Sequence, residues 1–404
     1  MYFAAERINT PISTQELERR WKAVRKAMDA QGVDVLLMQN NDDHLGGYVK
    51  WFSDIPAMNG YPVSVIFPRD DDQMTIVEHG VTGSMEELPN GTNGLFRNVK
   101  RIYTATTFAS VAYTLAYEAE AARKGLEPYA GGVVGMVGLG TLPVALMDYV
   151  RKAMPNTKFV DATHLVDAIK CIRSEEEIAL ARLTAALQDQ AMREAFAAIK
   201  PGMKECEVVA AAERAVIAGG GEQGLYLSCS APSGGPAGQG VPPIYRHMHN
   251  RTLNKGDVFY ILIETNGPGG IYTELSRSCV LGKAPEELKE EFALVLESRQ
   301  ETLNRLKPGA CCREIWDAQN AWRRAHDRPE ESRLYCHAQG YDLVEPPLVK
   351  YDEPMAIQAG MNITCHPGWL SSRFFNSLTD NYLIGESGVV ERFHNFPEII
   401  TEIE

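Results

Sequence analysis

The segment 258–281, VFYILIETNGPGGIYTELSRSCVL, constrains the fold more than any other stretch of the chain. Val258 to Ile263 is an apolar run of strand length, a Gly/Pro run turns the chain, and Ile271 to Val280 returns. A hairpin of this kind brings Glu264 and Glu274 face to face. Two carboxylates held so close share a proton, bind a cation, or sit beside a cation such as Arg277. Two solvated loop glutamates are the plain alternative.

The chain around this hairpin has 404 residues, long for one hydrophobic core, so two domains are expected, at 1–168 and 169–404. The first reads as alternating helix and strand. Ser13-Thr14 open a helix to about Ala30, with Trp21, Val24 and Met28 on one face. Strands follow at Val33–Met38, Pro62–Phe67, Met74–Val77 and Gly132–Val137, with helices near Phe108–Lys124 and Leu142–Met154. The stretch 169–177 is expected to be a linker into a long helix capped by Ser174, whose first turn carries Glu175, Glu176 and Glu177. A second helix is expected at 205–218 and a loop at 229–243. Strands then dominate, around helices near 285–307 and 312–325. The fold class is therefore α/β with two domains.

Composition narrows the function by exclusion. A formal charge of −13 argues against nucleic-acid binding, and no run of apolar residues is long enough to suggest a membrane span. Eight scattered cysteines without a CxxC pair suit reduced thiols, so a cytoplasmic protein without a secretory leader is expected.

Beyond Glu264 and Glu274, three polar residues sit beside strand segments: His337, His366 after the apolar run Met361–Cys365, and Asp380 before Tyr382–Ile384. With the two glutamates they make a candidate shared polar site. His337, His247, His249 and Glu345 are candidate catalytic residues. If residues 245–250 are extended, His247 and His249 point the same way, and a neutral imidazole there could carry a proton. Tyr341, Arg373 and Cys365 are candidate substrate contacts. An arginine such as Arg373 can hold a carboxylate, although a surface role suits it equally.

Short strings spread along the chain give a resemblance. They include IRSEEEI at 172–178, KPGM at 200–203, LNKGD at 253–257, GIYTELSRS at 270–278, LKPG at 306–309, HAQGY at 337–341, Glu345-Pro346 and DNYLI at 380–384. In this order they resemble the creatinase/prolidase/methionine-aminopeptidase family. The resemblance implies a creatinase-type N-terminal α/β domain and a C-terminal "pita-bread" α+β catalytic domain. Family metallopeptidases hold two metal ions with two Asp, one His and two Glu. Here those places carry Glu264, Glu274, His337, His366 and either Thr379 or Asp380, while Val344 replaces the second histidine of the peptidase signature.

Two catalytic readings follow from the resemblance. One is a rebuilt site for a divalent metal, in which Glu264, Glu274, His337, His366 and Asp380 are chemically competent ligands for Zn, Fe or Mn. The other is a metal-free, histidine-driven hydrolase like the creatinase branch, cleaving a C–N bond in a small amidino, guanidino or amide compound. A lyase like the dimethylsulfoniopropionate-cleaving branch is an alternative, carried by Asn266-Gly-Pro268 and Cys229-Ser-Ala-Pro232, as are an Xaa-Pro peptidase-like metallohydrolase and a non-catalytic binding module. The resemblance further implies a homodimer in which residues 41–61, among them Asp42, His44, Trp51 and Tyr61, border the partner's pocket and contribute substrate contacts.

Overall fold

Ser13 opens the first helix by accepting the Glu16 N–H at 3.1 Å, and Gly32, at φ 64°, closes it in the left-handed region that glycine reaches freely. These two signals bound helix α1, Thr14–Gln31, in a computed structural model that describes residues 11–42, 47–70, 73–235, 242–245 and 250–404. The chain divides into two compact units, Met1–Lys170 and Cys171–Glu404.

In the first unit α1 is followed by β1 Val35–Asn40, α2 Tyr48–Ser53, β2 Val63–Pro68, β3 Met74–His79, β4 Met85–Glu87 and β5 Val99–Ala105. Then come α3 Leu115–Leu126, β6 Val133–Val137, α4 Val144–Ala153, β7 Lys158–Asp161 and α5 Thr163–Lys170. The strands form one mixed sheet in the order β4-β5-β3-β2-β1-β6-β7. The apolar runs expected as strands are the buried central ones. The short α2, β4, β5 and α5 were not foreseen, since β4 is wholly exposed and β5 buries only every third residue. The expected linker 169–177 is in fact the end of α5, a short break and the start of the next helix.

The second unit runs α6 Glu175–Ala198, α7 Glu205–Ala218, β8 Gly224–Pro232, β9 Ile244–Tyr245, β10 Asp257–Asn266, β11 Tyr272–Leu281, α8 Glu286–Leu303 and α9 Cys312–Ala325. It continues β12 Cys336–Ala338, β13 Glu345–Leu348, β14 Asn362–Cys365, β15 Gly368–Leu370, β16 Phe375–Ser377, β17 Asp380–Gly385, β18 Gly388–Arg392 and β19 Thr401–Ile403. Ser174 and Glu177 close a reciprocal capping box on α6, at 3.2 and 2.8 Å. Residues 229–232, expected as loop, belong to β8. Their small polar side chains hide a strand that pairs along its length with β10.

Two five-stranded sheets build this unit, β19-β11-β10-β8-β9 and β13-β12-β14-β17-β18. Strand alternation sends Phe259, Ile261 and Ile263 of β10 to one face, where they pack with Met192 of α6 and Val208 and Ala212 of α7. Each such fully buried Phe, Ile, Met or Val side chain contributes about 1.5–3 kcal/mol relative to exposure. The second sheet packs Cys336, Ile363 and Tyr382 against Ile315 and Trp316 of α9. The sheets meet where Ser276 bridges Thr379, and this junction aims the remaining face of each toward one cavity.

Candidate functional site

Period-two alternation decides which residues reach that cavity. Tyr260, Leu262 and Glu264 leave β10 on the face opposite its core residues, and all three line the cavity, whose volume is about 370 Å³. Glu274 is the direct partner of Glu264 across the β10–β11 pair, so both carboxyls point into it. Leu227 and Leu225 of β8, opposite Leu262 and Glu264, extend an apolar wall. From the second sheet come His337 of β12 and His366, just beyond β14. The hairpin glutamates are therefore buried strand residues, 6% and 5% exposed, and not loop groups.

Arg277 does not neutralise them. Three residues from Glu274, it faces the other side of β11, where it binds Asp380 at 2.9 Å and the carbonyls of Pro397, Ser276, Thr379 and Phe396. Left without that cation, the carboxyls favour their protonated forms. Burial and then the neighbouring Glu274 push Glu264 well above the usual range, opposed by a 2.7 Å hydrogen bond from Gln339. Burial raises Glu274 to about 8, against the pull of Arg333 and of Thr364, whose hydroxyl donates to it at 3.5 Å.

The histidines shift the opposite way. Burial lowers His337 to about 4, opposed by the Ala338 carbonyl 2.8 Å from Nδ1. That contact makes Nδ1 the protonated nitrogen and leaves the Nε2 lone pair toward Glu274, 3.9 Å away. Burial, then His337 and Arg333, hold His366 well below its ordinary value, its ring centroid 5.3 Å from that of His337. Near neutral pH the site thus holds two neutral imidazoles facing a proton-rich carboxyl pair.

Gln339 and Asn381, missed in the sequence, brace this arrangement. Gln339 takes a 2.9 Å bond from Asn381, which in turn accepts the Glu274 N–H at 2.7 Å. Arg333 was also missed and lines the cavity. Buried polar residues and a cavity arginine have no local sequence signature, because the partners that define them are far along the chain.

Several sequence candidates lie elsewhere. Asp380 is turned away because Thr379, one residue earlier, occupies the cavity face, and a one-residue step in a strand reverses the side. Its carboxylate, fully buried, is held by Arg277, with His394 at 3.5 Å and Arg299 at 3.5 Å. Glu345 pairs with buried Arg173 and accepts the N–H groups of Tyr341 and Asp342, a structural clamp in place of a proton carrier. Tyr341 is buried beside that clamp and does not line the cavity. Cys365 points with Cys336 into the α9-side core, and Arg373 faces Glu287 at 3.4 Å. Tyr61 lies in the first unit, edge-on to His79 at 4.8 Å. His44, His247 and His249 lie outside the described residues.

Whether these residues suit a metal follows from their donors. Ligand atoms of Glu274, His337 and His366 all lie within 4.8 Å of one another, the one such group among the described residues. Two neutral imidazoles and a carboxylate fit a single divalent ion. They do not fit two. Asp380 is committed to arginine, Glu264 stands outside the triad, and Thr379 offers a hydroxyl already bonded to Ser276 at 2.8 Å.

Known proteins share this framework. Residues 179–390, more than half of the chain, match the model of metallopeptidase family M24. The uncharacterized hydrolase/peptidase y4tM of Sinorhizobium fredii is 27% identical over 337 residues, covering 80% of each chain. The Xaa-Pro dipeptidase of Pyrococcus horikoshii is 24% identical over 255 residues, covering 61% of this chain and 69% of its own. In fold, the X-Pro aminopeptidase of Thermotoga maritima superposes with a TM-score of 0.75 at 15% identity, covering 95% of this chain and 99% of that one. The cavity with its opposed acids thus occupies a pita-bread scaffold of peptidase and hydrolase enzymes, and the chain belongs to metallopeptidase family M24.

Proposed function

We propose that the chain hydrolyses a C–N bond in a small amidino, guanidino or amide compound. One observation carries this: Glu264 and Glu274 oppose each other in a cavity with neutral His337 and His366, and among the described residues no cation pairs with either acid. Such a pair favours a cationic guest. An amidinium or guanidinium entering between the acids supplies the missing charge, lets a carboxyl ionise, and offers paired N–H donors to it.

In this mechanism a water attacks the central carbon and its oxygen forms the new C–O bond. The Nε2 of His337 takes the water's proton, and Glu274, 3.9 Å away, stabilises the resulting imidazolium. Glu264, held by Gln339, delivers a proton to the leaving nitrogen as the C–N bond breaks. One water is consumed, and the products are an amine or ammonia and the oxygenated fragment. A divalent ion held by Glu274, His337 and His366 would engage the Nε2 lone pair of His337, and in that form it would supply Lewis-acid activation in place of the imidazole base. M24 peptidases generally depend on two ions, and the donor set here supports at most one, which favours a small substrate over a peptide.

The test is a panel of amidino, guanidino and amide compounds assayed for released amine with wild type and Glu264→Gln. Water-dependent amine release that the substitution abolishes supports the proposal. An alkene product would establish lyase chemistry in its place. The proposal includes a homodimer, which light scattering of the purified chain tests.

A further inference from the structure

Strand alternation gives β12 and β14 two different faces. His337 faces the cavity, as His366 does just past β14, while Cys336 and Cys365 face the core beneath α9. We infer that Cys336 and Cys365 are a redox modification site, where a reversible cross-strand disulfide forms behind the two site histidines and shifts them.

Register selects this pair. Cys336 and Cys365 are direct partners across the antiparallel β12–β14 pair. On the neighbouring rung the His366 N–H donates to the Tyr335 carbonyl at 2.8 Å, so the cysteine rung is a non-hydrogen-bonded one. Such rungs hold their Cα atoms about 4.5 Å apart, inside the span that a disulfide bridges, and bring the side chains close. The two thiols accordingly lie in hydrogen-bonding contact. Cysteines on the other described strands face different residues: Cys229 pairs with Tyr260, and Cys279 with Phe259.

A hydroperoxide serves as the oxidant. One sulfur attacks a peroxide oxygen, giving a sulfenic acid and one water. The second sulfur attacks the sulfenic sulfur, the S–S bond forms and a second water leaves. The thiol protons depart in the waters, and the two thiols lose two electrons to the O–O bond. Both side chains are 0% exposed, so reaction waits on local opening. The sheet has a place for it. β13 is the outer strand, and its pairing with β12 is interrupted between His337 and Ala338. Facing Cβ atoms on paired strands stand about 4.5–5.5 Å apart, whereas a disulfide needs about 3.8 Å. Closure therefore draws the strands together by roughly an ångström. That strains the bond, keeps it reducible, and carries both histidines with it.

Peptide mapping tests the bond on the full-length chain, exposed to hydrogen peroxide, denatured in N-ethylmaleimide and digested without reduction. Wild type should yield the Cys336 and Cys365 peptides joined and lighter by two hydrogens, and dithiothreitol should part them. Cys336→Ala should leave Cys365 in no crosslink. Cys312 is the competing partner, close enough to Cys336 to act on its charge, so Cys312→Ala should keep the Cys336–Cys365 link. Both thiols recovered alkylated after peroxide has oxidised the exposed Cys311 overturns the inference, as does a Cys336–Cys312 link in its place. The shift is read from the imidazole signals of nitrogen-15-labelled protein. Those of His337 and His366 should move on oxidation and return on reduction, while those of His79 and His164 in the first unit stay fixed. Unmoved signals in fully linked protein would refute the shift of the site. No substrate enters either measurement, so both results are independent of whether the chain cleaves a C–N bond.

Discussion

Replacing Glu274 by Gln should remove one pH-dependent contribution to stability. The folded carboxyl is raised to about 8 from an ordinary value of 4.5, mainly by burial. A carboxyl raised in the folded state holds a proton that the unfolded chain has released. Its contribution is therefore complete below the unfolded value and declines as pH rises through the folded one. Between about pH 6 and about pH 8 each pH unit removes about 1.4 kcal/mol, so the window is worth roughly 3 kcal/mol. Glutamine is the neutral isostere of the protonated acid and does not titrate. Urea denaturation of chelator-treated wild type and Glu274→Gln across this range reads the difference, in which groups that Glu274 does not touch cancel. The variant should gain on wild type steadily toward alkaline pH. A difference independent of pH would mean that Glu274 is already ionised in the folded cavity, and the proton-rich acid pair would be wrong.

The same logic applies to Glu118 in the first unit, buried on α3 and bonded to Gln39 at 2.6 Å and Ser64 at 2.8 Å, with burial raising it to about 7. Glu118→Gln should match wild type at acid pH and exceed it by up to roughly 3 kcal/mol above about pH 8, read from denaturant midpoints. Arg277→Met leaves buried Asp380 with its closest partner gone and should cost about 3–5 kcal/mol, part of which Asp380→Asn added to it restores. Elemental analysis of protein incubated with Zn, Fe or Mn should find no more than about one ion per chain, and His366→Ala should lose it. Two tightly held ions would contradict the donor set.

Much of the site was legible because strand periodicity is local. The facing pair Glu264 and Glu274 follows from a hairpin whose register the sequence alone suggests, and His337 and His366 flank apolar strand segments. Other parts depended on distant partners. Thr379 and Asp380 differ by one residue, and only the bridge from Thr379 to Ser276 shows which faces the cavity. Glu345 looked like a proton carrier until Arg173, far earlier in the chain, claimed it. Arg277 seemed a natural neighbour for the glutamates, but the alternation that turns Glu274 inward turns Arg277 out. The small polar residues of β8 read as loop because their strand character comes from pairing with β10 and not from their own side chains.

Hydrolysis by the Glu264–Glu274–histidine cluster is tested most directly by oxygen-18 water with a turned-over amidino, guanidino or amide compound. Wild type should place one labelled oxygen in the product for each amine released, and Glu264→Gln should lower turnover by at least about a hundredfold. An unlabelled alkene product, or labelled turnover that survives Glu264→Gln, would contradict it.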